Sequence, residues 1–458
     1  MTSHKLKEDF EEVFEVPAQM LEEGVELIKK EERALTSKHP FKRAEEYWDT
    51  LGPGLTTGAA DDDPSGIATY SQAGAQYGLQ LIWTALFTYP FMATVQEMCA
   101  RIGIVSGEGL AANIRRHYSK SALYIVAGLL FFANVFNITA DLGAMAAGTQ
   151  LLLPGVTFEL LVIVFALISL LLQIFTTYAR YAKYLKYLTL ALLSYVVVAF
   201  SVGLDWGDVL RHTLVPSMTF SKEQILLICA VLGTTISPYL FFWQTSQEVE
   251  ENILHGERTI AERKAGSNRR SIHQMRIDVW SGMFFSNLVT FFIFAACAGT
   301  LYAHGITNIA TADQAALALK PFGEFAFLLF AVGIVGTGLL AVPVLAGSSA
   351  YALAESFGWK HGLHYRLKQA YAFYGVIIVS MLLGIAANFA HLDPIKGLIY
   401  AAVANGVIAP VILFFVVRLS SNKKMMGEHQ NRPFVALLGW VTVGFMAISG
   451  IAAIATFF

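Results

Sequence analysis

Three consecutive carboxylates, Asp61, Asp62 and Asp63, lie inside the stretch GLTTGAADDDPSGIATYSQAGA, residues 54–75, which otherwise reads as a membrane-spanning segment. A charged side chain at bilayer depth is costly and persists only where it faces a hydrated cavity, a partner or an ion. Pro64 follows directly. A proline within a helix removes a backbone N–H and clashes with the preceding turn, so the helix is expected to unwind there. The freed carbonyls and the negative end of the first half-helix add to the carboxylates, and a cation is the natural ligand. A plainer reading stays open, in which DDDP caps a helix at the external mouth of the protein.

A second break is written at GTTISPY, residues 233–239, where Pro238 again follows small hydroxylated residues. Unwound backbone at membrane depth survives only where it lines an enclosed or watery cavity. The two breaks are therefore expected to meet near the midplane.

The elements that must carry these breaks are transmembrane helices. The chain has 458 residues, 55% hydrophobic and 14% charged, with a mean hydropathy of +0.54. That composition excludes an ordinary soluble globule. Runs long enough to cross a hydrocarbon core of about 30 Å recur along the chain. They give eleven expected spans, at 52–75, 79–103, 121–149, 155–178, 183–204, 222–247, 279–302, 322–350, 366–389, 393–418 and 433–457. Lys and Arg collect in alternate loops: Arg115, Arg116 and Lys120 follow the second span, and Arg258, Arg263, Lys264, Arg269, Arg270 and Arg276 follow the sixth. The intervening loops hold little beyond Arg211, Lys222, Lys320 and Lys396. The expected orientation is a cytoplasmic N-terminus and an external C-terminus, in a bacterial inner (cell) membrane.

The breaks lie five spans apart, an odd number, so the halves that contain them are expected to be inverted relative to one another. TYSQ (69–72) and QTSQ (244–247) after the two breaks hint at the same symmetry. The expected organisation is a cytoplasmic N-terminal extension (1–48), a first five-helix repeat (49–205), a second (206–420) and an eleventh transmembrane helix (421–458). The extension has no apolar signal region and is expected to be partly helical, able to lie along the membrane surface. Cys99, Cys229 and Cys297 all fall in apolar runs and read as packing thiols, neither a disulfide framework nor a thiolate metal site.

In order, LGPGLTTGAADDDPSG, QEMCARIGIVSGEGL, TADLGAMAAG and ISPY resemble the motifs of the Nramp family of divalent-metal transporters, in particular its branch of Nramp-related magnesium transporters. The likeness runs over essentially the whole membrane part. It implies an all-α membrane protein with a LeuT-like 5+5 inverted repeat, helices 1 and 6 broken, and one extra C-terminal helix. DDDPSG stands where the family has Asp-Pro-Gly-Asn, and ISPY where it has Met-Pro-His. By that correspondence Asp63 is the carboxylate ligand, with the carbonyls of Ala60 and Thr234 as partners. The family's asparagine ligand is here Gly66, its methionine is Ser237, and its histidine is Tyr239. Asn405, before Pro410 in the tenth span, stands where the family places polar residues beside the ligands.

Losing the thioether removes a soft donor that favours transition metals and leaves oxygen only. Mg²⁺ demands octahedral oxygen coordination and sheds its waters reluctantly, so a roomier site with fewer ligands suits it with several waters attached. Mn²⁺ is expected to be accepted too. The family's proton routes resemble chains of titratable groups on the third and sixth spans. Here Tyr239 and Gln244 stand at the sixth-span positions, and Asp141 is kept while Ala144 replaces a glutamate. Without groups titrating near neutrality, uncoupled uptake on voltage is expected, worth about 4.6 kcal/mol for a divalent ion at 100 mV. Asp141, Asp62 and Gln244 stay open between a proton role and support of the ligands.

Elsewhere, Glu97 and Arg101 read as an ion pair near the cytoplasmic end, and His361 and His364 as a solvated face of a basic loop. Glu248, Glu250 and Glu251 read as the polar inner end of the sixth span. No enzyme activity, cofactor or nucleic-acid partner is expected; the partners are a divalent cation and the bilayer, and the oligomeric state is open. Three rival readings remain. They are a proton-coupled Mn²⁺/Fe²⁺ importer, an amino-acid or amine carrier on the same architecture, and an intramembrane aspartyl protease using Asp63 and Asp141.

Overall fold

The computed structural model describes residues 52–176, 192–323, 325–390 and 393–456. The first half of the chain forms α1 (Pro53–Asp61), α2 (Pro64–Tyr77), α3 (Trp83–Ser106), α4 (Leu110–His117), α5 (Lys120–Gln150), α6 (Phe158–Phe175), α7 (Leu193–Ser201) and α8 (Trp206–Leu214). Then come α9 (Lys222–Thr235), α10 (Pro238–Leu254), α11 (Ile260–Gly266), α12 (Arg269–Thr300), α13 (Ala312–Ala316) and α14 (Phe325–Phe357). The chain closes with α15 (Tyr371–Asn388), α16 (Pro394–Ser420), α17 (Lys423–Met426) and α18 (Pro433–Ala455).

Among the described residues, eight helical stretches are long and apolar enough to cross a membrane. The other three expected spans are accounted for differently. The first is divided into α1 and α2; the second is α3, helical over 24 residues. The fifth, expected at 183–204, is represented by α7, and residues 177–191 lie outside the described residues. So does the whole N-terminal extension, 1–48.

Some helices outlast their apolar windows. α12 starts at Arg269 rather than 279 because Asn268 and Ser271 form a reciprocal cap, each backbone N–H donating to the other's side chain at 3.0 Å. α14 runs on past 350 to Phe357, carrying Glu355 into a buried position. Apolarity marks where the membrane is, while caps mark where the helix ends.

The broken helices occupy the centre. Of the apolar window in Lys222–Leu254, 89% is buried, against 22% in Pro433–Ala455, so α9 and α10 are core and α18 is peripheral. Close backbone approach holds the centre together. A Cβ on Gly406 of α16 would meet the Cys229 carbonyl of α9 at 2.5 Å, so only glycine permits that contact.

α1 is seated along a single stripe of α12. The Asp278 carboxylate accepts from the N–H groups of Gly52, Gly54 and Leu55 at 3.0, 2.6 and 3.2 Å, satisfying orphan donors at the start of α1. One turn on, the backbone of Gly282 lies against Gly58. Another turn on, Ser286 Oγ donates to Asp61 Oδ2 at 2.8 Å and lies 3.3 Å from Asp62 Oδ1. Residues four apart on a helix share a face, and this face fixes both ends of α1.

Candidate cation site

Proline begins the second half of each broken span. Its missing N–H costs nothing at the first helical position. Asp63 precedes Pro64 as the N-cap of α2: its Oδ1 accepts from the Gly66 N–H at 2.7 Å and from Ser65 Oγ at 2.6 Å. Asp63 therefore does cap a helix, as the plainer reading of DDDP had it, yet not at an open mouth. Asp61, Asp62 and Asp63 are 1%, 2% and 2% exposed. Capping also uses only one oxygen. Asp63 Oδ2 faces the hydroxyl of Tyr239 at 3.4 Å, and that hydroxyl donates to the Ala60 carbonyl at 2.8 Å.

At the second break Ser237 Oγ turns back onto α9, donating to the carbonyls of Gly233 and Thr234 at 2.9 and 2.6 Å. Thr234 Oγ1 donates to the Tyr70 hydroxyl at 2.9 Å, with Thr235 Oγ1 3.1 Å from the same oxygen. Tyr70 joins the two breaks. Its ring edge borders Gly66, where a Cβ would stand 3.2 Å from Tyr70 Cε2, 3.4 Å from Asp63 Oδ1 and 3.5 Å from the Asp61 carbonyl. Ala60, Asp63, Gly66 and Tyr239 thus converge directly, and Thr234 and Ser237 join them through Tyr70. Among the described residues no three His, Cys, Asp or Glu side chains come together to hold a metal. A cation here would meet a carboxylate, carbonyls, hydroxyls and water.

Asp141 of α5 is fully buried and interacts electrostatically with Asp63 and with the backbone N–H of Ser65. One turn before it, Asn137 Nδ2 donates to Asn405 Oδ1 at 3.1 Å; Asn405 Nδ2 and Asn137 Oδ1 have no protein partner. Gln244 is not drawn into this group. Its Nε2 donates to Glu248 Oε1 at 2.8 Å, further along α10.

At the far end of α10 a separate cavity of about 490 Å³ is lined by Glu250, Glu355, His361 and His364, with Arg258 and Arg263. His364 Nδ1 lies 2.8 Å from Glu250 Oε2, and His361 Nε2 lies 3.9 Å from Glu355 Oε1. Of the two histidines, read as a solvated face, His364 is instead paired with buried Glu250, while His361, its side chain 35% exposed, stays partly solvated near Glu355. Glu97 also has a fuller set of partners than the expected pair. Arg101 Nη1 is 3.5 Å away, whereas Arg276 donates through Nε and Nη2 at 3.1 and 3.0 Å and Trp280 Nε1 at 2.9 Å.

A family model described as natural resistance-associated macrophage protein-like, Nramp, matches residues 54–456. The chain belongs to the Nramp family. It is 26% identical over 443 residues to the divalent metal cation transporter MntH of Erwinia tasmaniensis, covering 93% of this chain and 97% of that one. It is 24% identical over 402 residues to MntH of Klebsiella pneumoniae, covering 86% and 90%. Its fold matches that of the Eremococcus coleocola manganese transporter with a TM-score of 0.70 at 16% identity, over 90% of this chain and 87% of that one. Mhp1, a nucleobase-cation-symport-1 family transporter, matches with a TM-score of 0.55 at 15% identity, over 88% and 90%.

The Nramp chain therefore has the LeuT-like fold expected from its sequence, with α1–α2 and α9–α10 as broken helices 1 and 6. It is an integral membrane protein of a transporter family, and the protease reading falls. Sequence reasoning missed Tyr70, Asn137, Asp278 and Ser286. Asn137 was legible as the residue one turn before Asp141. The spacing of Asp278, Gly282 and Ser286 marks one helix face, but nothing in it says which helix that face receives.

Proposed function

We propose that this Nramp protein carries divalent metal cations across the membrane, Mg²⁺ foremost and Mn²⁺ also, without obligatory proton coupling. The ion is held partly hydrated near the midplane, with Asp63 Oδ2 as the direct carboxylate contact. The reading is carried by one observation: at the meeting of the two breaks the groups that come together, the Asp63 carboxylate, the Ala60 carbonyl and the Tyr239 hydroxyl, are oxygens without sulfur or imidazole. Hard oxygen donors without sulfur or imidazole favour Mg²⁺ over the softer transition metals. Gly66 supplies room for the ion's waters, Asn405 and Asp141 line the polar side of that space, and Ser237 and Thr234 hold the second break in shape. The division into an extension (1–48), repeats (49–205 and 206–420) and an eleventh helix (421–458) belongs to the same reading. So does a cytoplasmic N-terminus with an external C-terminus in a bacterial inner membrane.

Proteoliposomes test it. Mg²⁺ entry driven by an inside-negative potential, with no acidification of the lumen, is the expected result. A second reading, a proton-coupled Mn²⁺/Fe²⁺ importer, is favoured by Asp141 beside Asp63 and by the manganese transporter among the structural matches. Metal-driven acidification, with Fe²⁺ preferred to Mg²⁺, would establish it instead.

A further inference from the structure

We infer that Tyr239 sets which divalent ion the site prefers, by keeping the Ala60 carbonyl out of direct metal contact. This inference rests on the reading of Asp63 as a cation ligand. The Tyr239 hydroxyl has one proton, and the 2.8 Å bond to the Ala60 carbonyl uses it; the 3.4 Å approach to Asp63 Oδ2 is too long to be a second full bond. Tyr239, Ala60 and Asp63 are 0%, 0% and 2% exposed, so bulk solvent does not compete for the hydroxyl's bond. Its ring also stands directly after Pro238, at the start of α10, where the proline fixes the backbone.

A bare cation bound by both oxygens would sit about 2 Å from each. The tyrosine oxygen instead lies 2.8 Å from the Ala60 carbonyl, which it engages by a hydrogen bond, and 3.4 Å from Asp63 Oδ2. The cation therefore takes Asp63 Oδ2 directly and reaches the Tyr239 side through a water, whose hydrogen the tyrosine lone pairs accept. One inner ligand stays withheld. Each protein oxygen that enters the coordination sphere must displace a water, and Mg²⁺ resists that exchange. Withholding the carbonyl thus favours Mg²⁺, and freeing it favours an ion that dehydrates more readily, such as Mn²⁺.

Calorimetric titration of the full-length wild type and Tyr239→Phe with MgCl₂ and with MnCl₂ tests this. The variant is expected to bind Mn²⁺ about fivefold tighter, the order of one net polar contact, with Mg²⁺ changed less. Water counting by ENDOR on bound Mn²⁺ is expected to show one water fewer in the variant. An unchanged or lowered Mn²⁺/Mg²⁺ preference, or an unchanged water count, would overturn the inference. Should Tyr239→Phe not fold, Tyr239→Leu also lacks the hydroxyl, adds no donor atom and carries the same expectation. Tyr374→Phe removes another tyrosine hydroxyl, bonded to the Tyr365 carbonyl, and is expected to leave the preference unchanged. If it shifts the preference equally, the effect does not belong to Tyr239 and the inference fails. If the wild type binds neither ion, or Asp63→Ala binds as the wild type does, the cation-site reading fails and takes this inference with it.

Discussion

The Tyr239 hydroxyl donates to the Ala60 carbonyl at 2.8 Å, across 179 positions of sequence. That bond closes an orphan carbonyl near the C-terminal end of α1 with a side chain from the first turn of α10. Unwinding one helix therefore leaves a polar group that the other broken helix satisfies. Each break depends on the other, and the oxygens they share are where a cation would be met.

Asp63 has two separable duties, capping α2 through Oδ1 and facing the site through Oδ2. Asp63→Asn keeps an oxygen able to cap but loses the charge. It is expected to unfold near the wild-type temperature while losing the stabilisation that Mg²⁺ or Mn²⁺ gives. For a wild type at a hundredfold excess over Kd that stabilisation is about 2.7 kcal/mol. Asp63→Ala is expected to lose the cap as well, at about 1 kcal/mol. Thermal unfolding with and without each salt reads both effects.

Gly282→Ala puts a Cβ into the backbone of Gly54 and Leu55, where no side chain can move aside. Overpacking of that kind costs about 1–3 kcal/mol, and α1 is expected to lose its seat on α12. Gly128→Ala, with nothing within 4 Å of its Cβ in the interior of α5, is the control expected not to lower stability. Melting curves of the two purified variants compare them directly.

These positions also show what a single sequence conveys. The breaks were legible because proline and aspartate are so costly in a bilayer helix that their presence at 61–64 demands an explanation. The span order was legible because apolar length is set by the membrane. Helix pairing was not. That Asp278 caps α1, or that Ser286 rather than a solvent face receives Asp61, depends on tertiary packing, and no local pattern encodes it. Gln244 is a further case: correspondence with the family's sixth span left it between a proton role and support of the ligands, and only the packing shows that its side chain donates to Glu248.

Gly66→Asn returns the bulk that the family's motif has. Its Cβ would press on Tyr70 at 3.2 Å and on Asp63 Oδ1 at 3.4 Å. Its amide would fill space proposed for the ion's waters. Competition uptake in proteoliposomes is expected to show a fall in Mg²⁺ transport and a relative gain for Mn²⁺. Equal loss for both ions would indicate simple blockage.

Glu97 is the anion of a buried network holding α3 to α12, with a side chain 6% exposed. Glu97→Gln leaves Arg101, 5% exposed, without its counter-charge. Breaking a buried pair from one side costs about 3–5 kcal/mol. A large drop in melting temperature is expected, with cation affinity of the surviving folded protein preserved, since Glu97 does not touch the break.

The most direct measurement is anomalous diffraction from crystals of the wild type soaked in Mn²⁺. A peak about 2 to 2.5 Å from Asp63 Oδ2, the range of direct oxygen coordination, is expected. A peak confined to the cavity between Glu250 and Glu355, with none at Asp63, would contradict Asp63 as the direct ligand.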